Sequence, residues 1–399
     1  MSQSARQELA SLSRLEFAWK QIWRKKGAKT TPGVDGVSAT TFKNERMNRL
    51  REIQSNIRDG YKFSLLRGVA IPKTDPKKLR LICIPTLSDR IVQRALVNKI
   101  EEQAEKLGLI NPVSYGFIRN TENQNRGVRG AQKAACALRE KKPWVFKADI
   151  AKFFDRINRK ELAEKFSRQF KLRSLTPLVL GAIQCEVAES SEKIRKATIQ
   201  NGIQRGRGLR QGMPLSPILS NFVLKDFDRV VGAQYSMVRY ADDLLIFTDT
   251  ESQCIEARKK VEEELKIIGH ELSEEKSHIY SPSQPVDFLG MALARQENGK
   301  CYFYVSPEQI REIKKSISEY HDISWLISQD KDIGYVLRRI NFMKNGYLSA
   351  YDYASNSKDL KNQLEQAVQK CVNVLYGTIF GRDAVQNLSN KYRKFLMLP

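Results

Sequence analysis

Two adjacent aspartates stand where two apolar runs meet: MVRY at 237–240 and LLIFT at 244–248 enclose Ala241, Asp242 and Asp243. Apolar residues on both sides of a short break predict a β-hairpin whose tight turn falls at the two aspartates. Neighbouring carboxylates at an exposed turn repel each other unless a cation neutralises them. A divalent ion does that; a solvated turn is the other reading, because Asp is common in turns. A further carboxylate lies upstream in KADIAKFFDRI, 147–157, where Asp149 ends the apolar strand WVFKAD. An unpaired carboxylate is poorly placed at the end of such a strand. One carboxylate from this strand and two from the hairpin can converge on a pair of metal ions. Magnesium suits such oxygen ligands, and two ions about 4 Å apart serve the attacking and leaving oxygens of phosphoryl transfer. Asp155 reads instead as a cap or ion-pair partner near a helix start.

Charge narrows the partner. The chain of 399 residues carries 68 Lys and Arg against 45 Asp and Glu, a net charge of +23. Basic residues occur along its whole length, which points to a polyanion, RNA or DNA, held through its phosphates. A merely solubilising surface is the plainer alternative. No basic amphipathic helix stands apart as a membrane-surface anchor. No window approaches the roughly 18 consecutive apolar residues of a membrane span, and the opening MSQSARQELASLSR has charges where a signal peptide has its apolar stretch. A soluble, cytoplasmic protein is expected. Six scattered cysteines without a CxxC pair, and only His270, His278 and His321, argue for a reducing compartment and against a zinc site or a Cys/His-rich endonuclease module.

Residues 5–26 read as one basic amphipathic helix, with Leu9, Leu12, Leu15, Trp19, Ile22 and Trp23 at helical spacing, ending at Gly27. GVAIPK and LRLICIP, joined by TDPKK, read as two strands followed by a helix from Ser88. Strand signals return at PWVFKADI, MVRYADDLLIFT and CYFYVSP, with helical patterns such as SQCIEARKKVEEELKIIG between them. The alternation predicts an α+β fold, an antiparallel sheet with helices behind it. Beyond about residue 305 the pattern is helical. The expected segments are an N-terminal helix at 1–27, a mixed domain at 28–305 and a helical region at 306–399.

An ordered series of blocks resembles the reverse transcriptases, in particular the bacterial branch that includes group II intron proteins. TPGVDGVSATTF at 31–42 and IPKTDPKKLRLICIPTLSDRIVQRAL at 71–96 come first. SYGFIRN at 114–120, RQGMPLSPILSNFVL at 210–224, YADD at 240–243, EEKSHI at 274–279 and FLG at 288–290 follow. A chance YADD is plausible; the ordered set is not. The resemblance implies a right-hand polymerase with fingers, an antiparallel-sheet palm and an α-helical thumb. It assigns Asp149, Asp242 and Asp243, with the backbone of Ile150, to two magnesium ions, with manganese as a substitute. Lys73 and Arg80 would grip the triphosphate of the incoming deoxynucleotide. Phe154 would be the steric gate against a 2′-hydroxyl, with Phe153 as the alternative if the register is off by one. Gln211, in the block that includes Gly212 and Pro214, would lie beside the nucleotide, while Ser216 and Asn221 would organise the helix that follows. Lys276 would protonate the pyrophosphate leaving group, unless it is a solvated surface lysine. Phe288, Leu289 and Gly290 would form the primer grip. Tyr347, Tyr351 and Tyr353 would pack on a duplex minor groove or on one another, and the basic segment 193–210 would line the template–primer channel.

The resemblance implies RNA-templated DNA synthesis, with RNA template, DNA product and deoxynucleotides as partners and no membrane. About 109 residues follow the FLG turn, room for a thumb but little for a maturase domain. The QGMPLSP block departs from that of diversity-generating retroelements, and the NAxxH and VTG blocks of retron enzymes are missing. A stand-alone enzyme of antiviral defence is therefore expected, copying a structured noncoding RNA, with higher-order assembly with RNA or a partner protein as a further option. The alternative is a group II intron-type maturase that binds RNA in splicing or retromobility.

Overall fold

A computed structural model describes residues 4–72, 78–122 and 124–396, leaving aside the side chains of Lys26, Arg382, Lys394 and Phe395. The chain forms two compact units, one of Met1–Ala131 and Phe146–Ile279, the other of Gln132–Val145 and Tyr280–Pro399. These units do not follow the segments 1–27, 28–305 and 306–399 expected from sequence. The N-terminal helices belong to the first unit, and a stretch from the middle of the chain belongs to the second.

The strands, in chain order, are β1 (Leu66–Pro72), β2 (Leu79–Ile84), β3 (Trp144–Asp149), β4 (Val187–Ala188), β5 (Ser236–Tyr240), β6 (Asp243–Thr248), β7 (His278–Tyr280), β8 (Val286–Phe288), β9 (Met291–Arg295) and β10 (Cys301–Tyr304). The mixed α and β character matches expectation, but the strands divide among three sheets, ordered β2-β1-β4, β5-β6-β3-β7 and β10-β9-β8. Pairing is not uniformly antiparallel either, since β1 and β4 run parallel. CYFYVSP therefore lies in a different sheet from PWVFKADI and MVRYADDLLIFT.

In the first unit the expected single N-terminal helix is two, Ala5–Leu9 and Leu12–Lys26. Ser11, at φ −64° and ψ 140°, has the extended backbone of an N-cap and interrupts the spiral. The break lets Leu9, Ala10 and Leu15 all reach the core. β1 and β2 form the expected antiparallel hairpin, Pro72 opposite Leu79. Helix Leu87–Glu101 follows, capped by the Thr86 side chain on the Asp89 amide. In β6, Leu244 through Phe247 are all fully buried. A run buried on both faces shows no alternation, and helices Ser216–Gln234 and Glu251–Ile267 pack against β5 and β6.

In the second unit β8, β9 and β10 form an antiparallel meander, accompanied by helices Pro307–Ser318, Ile333–Ala350 and Ser357–Phe380. Arg139 is fully buried there and donates to the carbonyls of Leu293 (2.6 Å) and Gln284 (2.5 Å). All six cysteines are free. No helix among the described residues is long and apolar enough to cross a membrane.

Candidate active site

A cleft of about 520 Å³ opens in the first unit, with Asp149 and Asp242 in its wall. Asp149 ends β3, and its backbone is held on two sides. The Ser273 amide donates to the Asp149 carbonyl (2.8 Å), and the next amide, Ile150, donates to the Asp242 carbonyl (3.2 Å). The strand that delivers the first carboxylate is thereby tied to the hairpin that carries the other two.

The hairpin turn falls one residue earlier than expected. Tyr240 pairs with Asp243, so Ala241 and Asp242 make the turn and Asp243 opens β6. Ala241 adopts φ +58°, a left-handed conformation that the flanking pairing imposes on a residue with a Cβ. Nor is the turn a solvated one: Asp242 and Asp243 are both partly buried. Burial pushes the Asp242 carboxyl up, and nearby Asp149 adds to this. Asp243 is pushed up to about 7, chiefly by burial, with Lys147 opposing and both other aspartates reinforcing. Its Oδ1 is buried without a hydrogen-bond partner, although Asp243 does not line the cleft itself.

This donor set fits a hard divalent cation, being all oxygen and anionic, with one buried oxygen unsatisfied. It is an open set. Among the described residues no three Asp, Glu, His or Cys side chains are already gathered around a common point. Magnesium commonly takes only one or two carboxylates and completes its shell with water and substrate phosphates. Lys276 stands within the cleft, its Nζ 3.3 Å from Asp149 Oδ2.

Arg239 fixes the turn. It is fully buried, and its guanidinium grips Asp228 through Nε (2.6 Å) and Nη2 (2.5 Å). Nη1 donates to the Ala241 carbonyl (2.8 Å) and to Asn221 Oδ1, and Nη2 to Ser114 Oγ. SYGF packs alongside. A Cβ on Gly116 would come within 2.9 Å of the Ala241 nitrogen, and the Phe117 ring lies 5.8 Å from that of Tyr240.

Across the cleft stand Arg80, exposed on β2, with Ile82, Gln211 and Gly212. Gly212 has φ +108°, and a Cβ there would lie 2.5 Å from the Cys83 carbonyl. Gln211 is held against β2 by the Cys83 amide, which donates to its carbonyl (2.7 Å). Behind this loop Glu186 bridges Arg159 (2.8 Å) and Arg210 (2.6 Å), both buried. Arg159 also donates to the Gly208 carbonyl (2.7 Å). Phe153 and Phe154 both border the cleft. Phe153 is a core residue, only 1% exposed, whereas Phe154 is partly open. Lys73 lies outside the described residues.

A family model described as reverse transcriptase (RNA-dependent DNA polymerase) matches residues 71–293. The chain belongs to the reverse transcriptase family. Protein YkfC of Escherichia coli (strain K12) is 30% identical over 214 residues, 53% of this chain and 52% of that protein. The group II intron-encoded protein LtrA of Lactococcus lactis subsp. cremoris is 27% identical over 217 residues, 54% of this chain and 33% of its own length. A retrovirus-related Pol polyprotein from the type-1 retrotransposable element R2 of Nasonia vitripennis is 25% identical, covering 67% of this chain and 28% of that protein. The chain thus spans about half or less of the curated relatives it matches.

Of the other expected residues, Phe288, Leu289, Gly290, Tyr347, Tyr351 and Tyr353 lie in the second unit. Phe288 pairs with Met291, leaving Leu289 (φ +51°) and Gly290 (φ +81°) as a two-residue turn. Two positive φ values mark the type I′ class. Tyr351 lies beside Gly290, its hydroxyl 3.8 Å from where a Cβ would stand. Tyr347 and Tyr351 stack with parallel rings 6.3 Å apart, and Tyr353 packs near Phe303. Asn221 does more than organise its helix, since it donates to the Gly116 carbonyl (2.7 Å) as well as accepting from Arg239. Reading by blocks missed Arg239, Asp228 and Glu186. An arginine inside the apolar run MVRY was the available signal, as was an aspartate between Phe227 and Val231 on an otherwise apolar helix face.

Proposed function

We propose that the protein is an RNA-directed DNA polymerase whose nucleotidyl transfer takes place in the cleft between Asp149–Asp242 and Arg80–Gln211. The observation that carries this is the convergence, on one cavity, of a carboxylate that ends β3, a carboxylate from the β5–β6 turn and the Arg80 guanidinium. Asp149, Asp242 and Asp243, with the Ile150 carbonyl, would hold two magnesium ions or their manganese substitutes. Such ions would supply activation of the primer 3′-hydroxyl and neutralise charge on the leaving pyrophosphate. The protein's own part is positional. Arg80, together with Lys73, binds the triphosphate; Phe154 excludes a 2′-hydroxyl; Gln211 orients the nucleotide. Lys276, beside Asp149, is placed to give a proton to the leaving group.

On this reading the hand runs as follows. The N-terminal helices at 1–27 brace the fingers, fingers and palm occupy 28–305, and 306–399 form the thumb, with Phe288, Leu289 and Gly290 gripping the primer. The template is a structured noncoding RNA copied in bacterial antiviral defence, with deoxynucleotides as substrates and DNA as product, in a cytoplasmic and higher-order assembly. Similarity to a group II intron-encoded protein favours a second reading, an RNA-binding maturase that acts in splicing or retromobility.

One experiment separates them: sequencing of the RNA and DNA that copurify with wild type and with Asp242→Ala/Asp243→Ala, expressed from the native locus. The polymerase reading requires one discrete RNA in both samples and complementary DNA with wild type alone. The same RNA with no DNA in either sample puts the maturase reading first.

A further inference from the structure

A second, smaller basin adjoins the cleft at Lys152. It has a volume of about 310 Å³ and shares Lys152 and Asp155 with the cleft wall. Three cations face it, Lys152, Arg156 and Arg207. The carboxylates nearby are Asp155 in the shared wall and Glu271, which is bound to Arg156 at 2.5 Å. Arg207 is fixed by its Nε, which donates to the Arg156 carbonyl (3.3 Å). The Lys152 ammonium lies over Gly202, 3.4 Å from where a Cβ would stand. Burial holds the imidazole of the neighbouring His270 below its ordinary pKa, and Arg156 and Arg207 add to this.

Lys152 itself gives the strongest hint. Its backbone sits at φ +48° and ψ 40°, the left-handed region that costs a residue with a Cβ about 1 kcal/mol and suits glycine best. A long cation at such a position, pointing into a basic hollow, has a task beyond forming the turn. Among the described residues no aromatic ring lines the hollow, so they offer no platform on which a base could stack. Its size, its sign and the two residues it shares with the cleft suit a compact polyanion without a base.

We propose that this basin is an exit site for inorganic pyrophosphate, in which Lys152 and Arg207 receive the leaving group as it departs the cleft. The inference rests on the polymerase reading, and its test is separable from it. Pyrophosphate binding is measured by calorimetry on the full chain, without divalent ions or nucleic acid, and primer extension is measured in parallel. Binding of inorganic pyrophosphate should persist in Arg80→Gln, which removes only what the main cleft contributes. Lys152→Gly, which relieves the backbone, and Arg207→Gln should each weaken binding by about tenfold, the usual worth of one charged hydrogen bond. In extension assays the same two variants should need about tenfold more pyrophosphate for equal inhibition. Equal pyrophosphate affinity in wild type, Lys152→Gly and Arg207→Gln overturns the exit site, whatever the extension assay shows. So does loss of binding in Arg80→Gln alone, which would put the anion in the main cleft. Intact, variant-sensitive binding with no extension by wild type strikes instead at the polymerase reading, and the exit role falls with it.

Discussion

Arg239 concentrates the physics of the site in one side chain. Its guanidinium and the Asp228 carboxylate are both fully buried, and the remaining donors reach the Ala241 carbonyl, Asn221 and Ser114. Removing one partner strands a charge in the interior, so Arg239→Met should lower unfolding stability by about 3–5 kcal/mol. The double variant Arg239→Met/Asp228→Leu should recover much of that loss in chemical denaturation, while extension activity stays low because the Ala241 carbonyl has lost its donor. His270 gives the pH dependence. Burial holds its imidazole down to about 4 against an ordinary 6.5, with Arg156 and Arg207 contributing. Below about pH 6.5 the unfolded chain takes up a proton that the folded chain refuses, so stability is intact above that pH and falls between 6.5 and 4. The loss approaches about 3 kcal/mol at the lower end. Melting curves of His270→Phe should be flatter across that window than those of wild type.

Elements show which parts of the fold could be read from the sequence. The β1–β2 and β5–β6 hairpins were legible because each pairs apolar runs across a short break, and the period of such runs is local information. The position of the second turn was not, since Asp243 joins β6 only through its pairing with Tyr240. Residues 5–26 were misread as continuous because spacing alone registers Leu9 and Leu15 as one stripe and is blind to Ser11 as a cap. Asp149, Asp242 and Arg80 were legible as cleft residues through their blocks. The Glu186 and Asp228 networks were not, because they join residues far apart in sequence that no block contains. The β8–β9 turn carries its own prediction. Leu289 occupies a left-handed position without the small side chain that a type I′ turn favours. Leu289→Gly should raise the melting free energy by up to about 1 kcal/mol, partly offset by the freedom glycine adds to the unfolded chain.

For the whole molecule, a net charge of +23 invites the assumption that its arginines all face nucleic acid. Several do not. Arg139, Arg159, Arg210 and Arg239 are at most 2% exposed and spend their donors on carbonyls and carboxylates inside the protein. The charge left at the surface includes Lys193, Arg195 and Lys196 on the exposed side of helix Glu192–Asn201. Arg139 also ties chain order to stability. It comes from the stretch Gln132–Val145, while its acceptors at Gln284 and Leu293 come some 150 residues later. A fragment of 280–399 expressed alone should therefore be loosely packed by hydrogen exchange and should tighten when a peptide of 132–145 is supplied in trans.

That arrangement bears on how such a chain can be recombined. A crossover between related genes that swaps everything after residue 280 imports foreign carbonyls opposite a resident guanidinium, and a swap after 305 separates β8 to β10 from the helices of their own unit. Compatible exchange needs two cuts, one on each side of 132–145, made together with the one near 280. The segment from residue 280 onward is thus a poor cassette, and its inheritance is coupled to a short piece of sequence that interrupts the other unit.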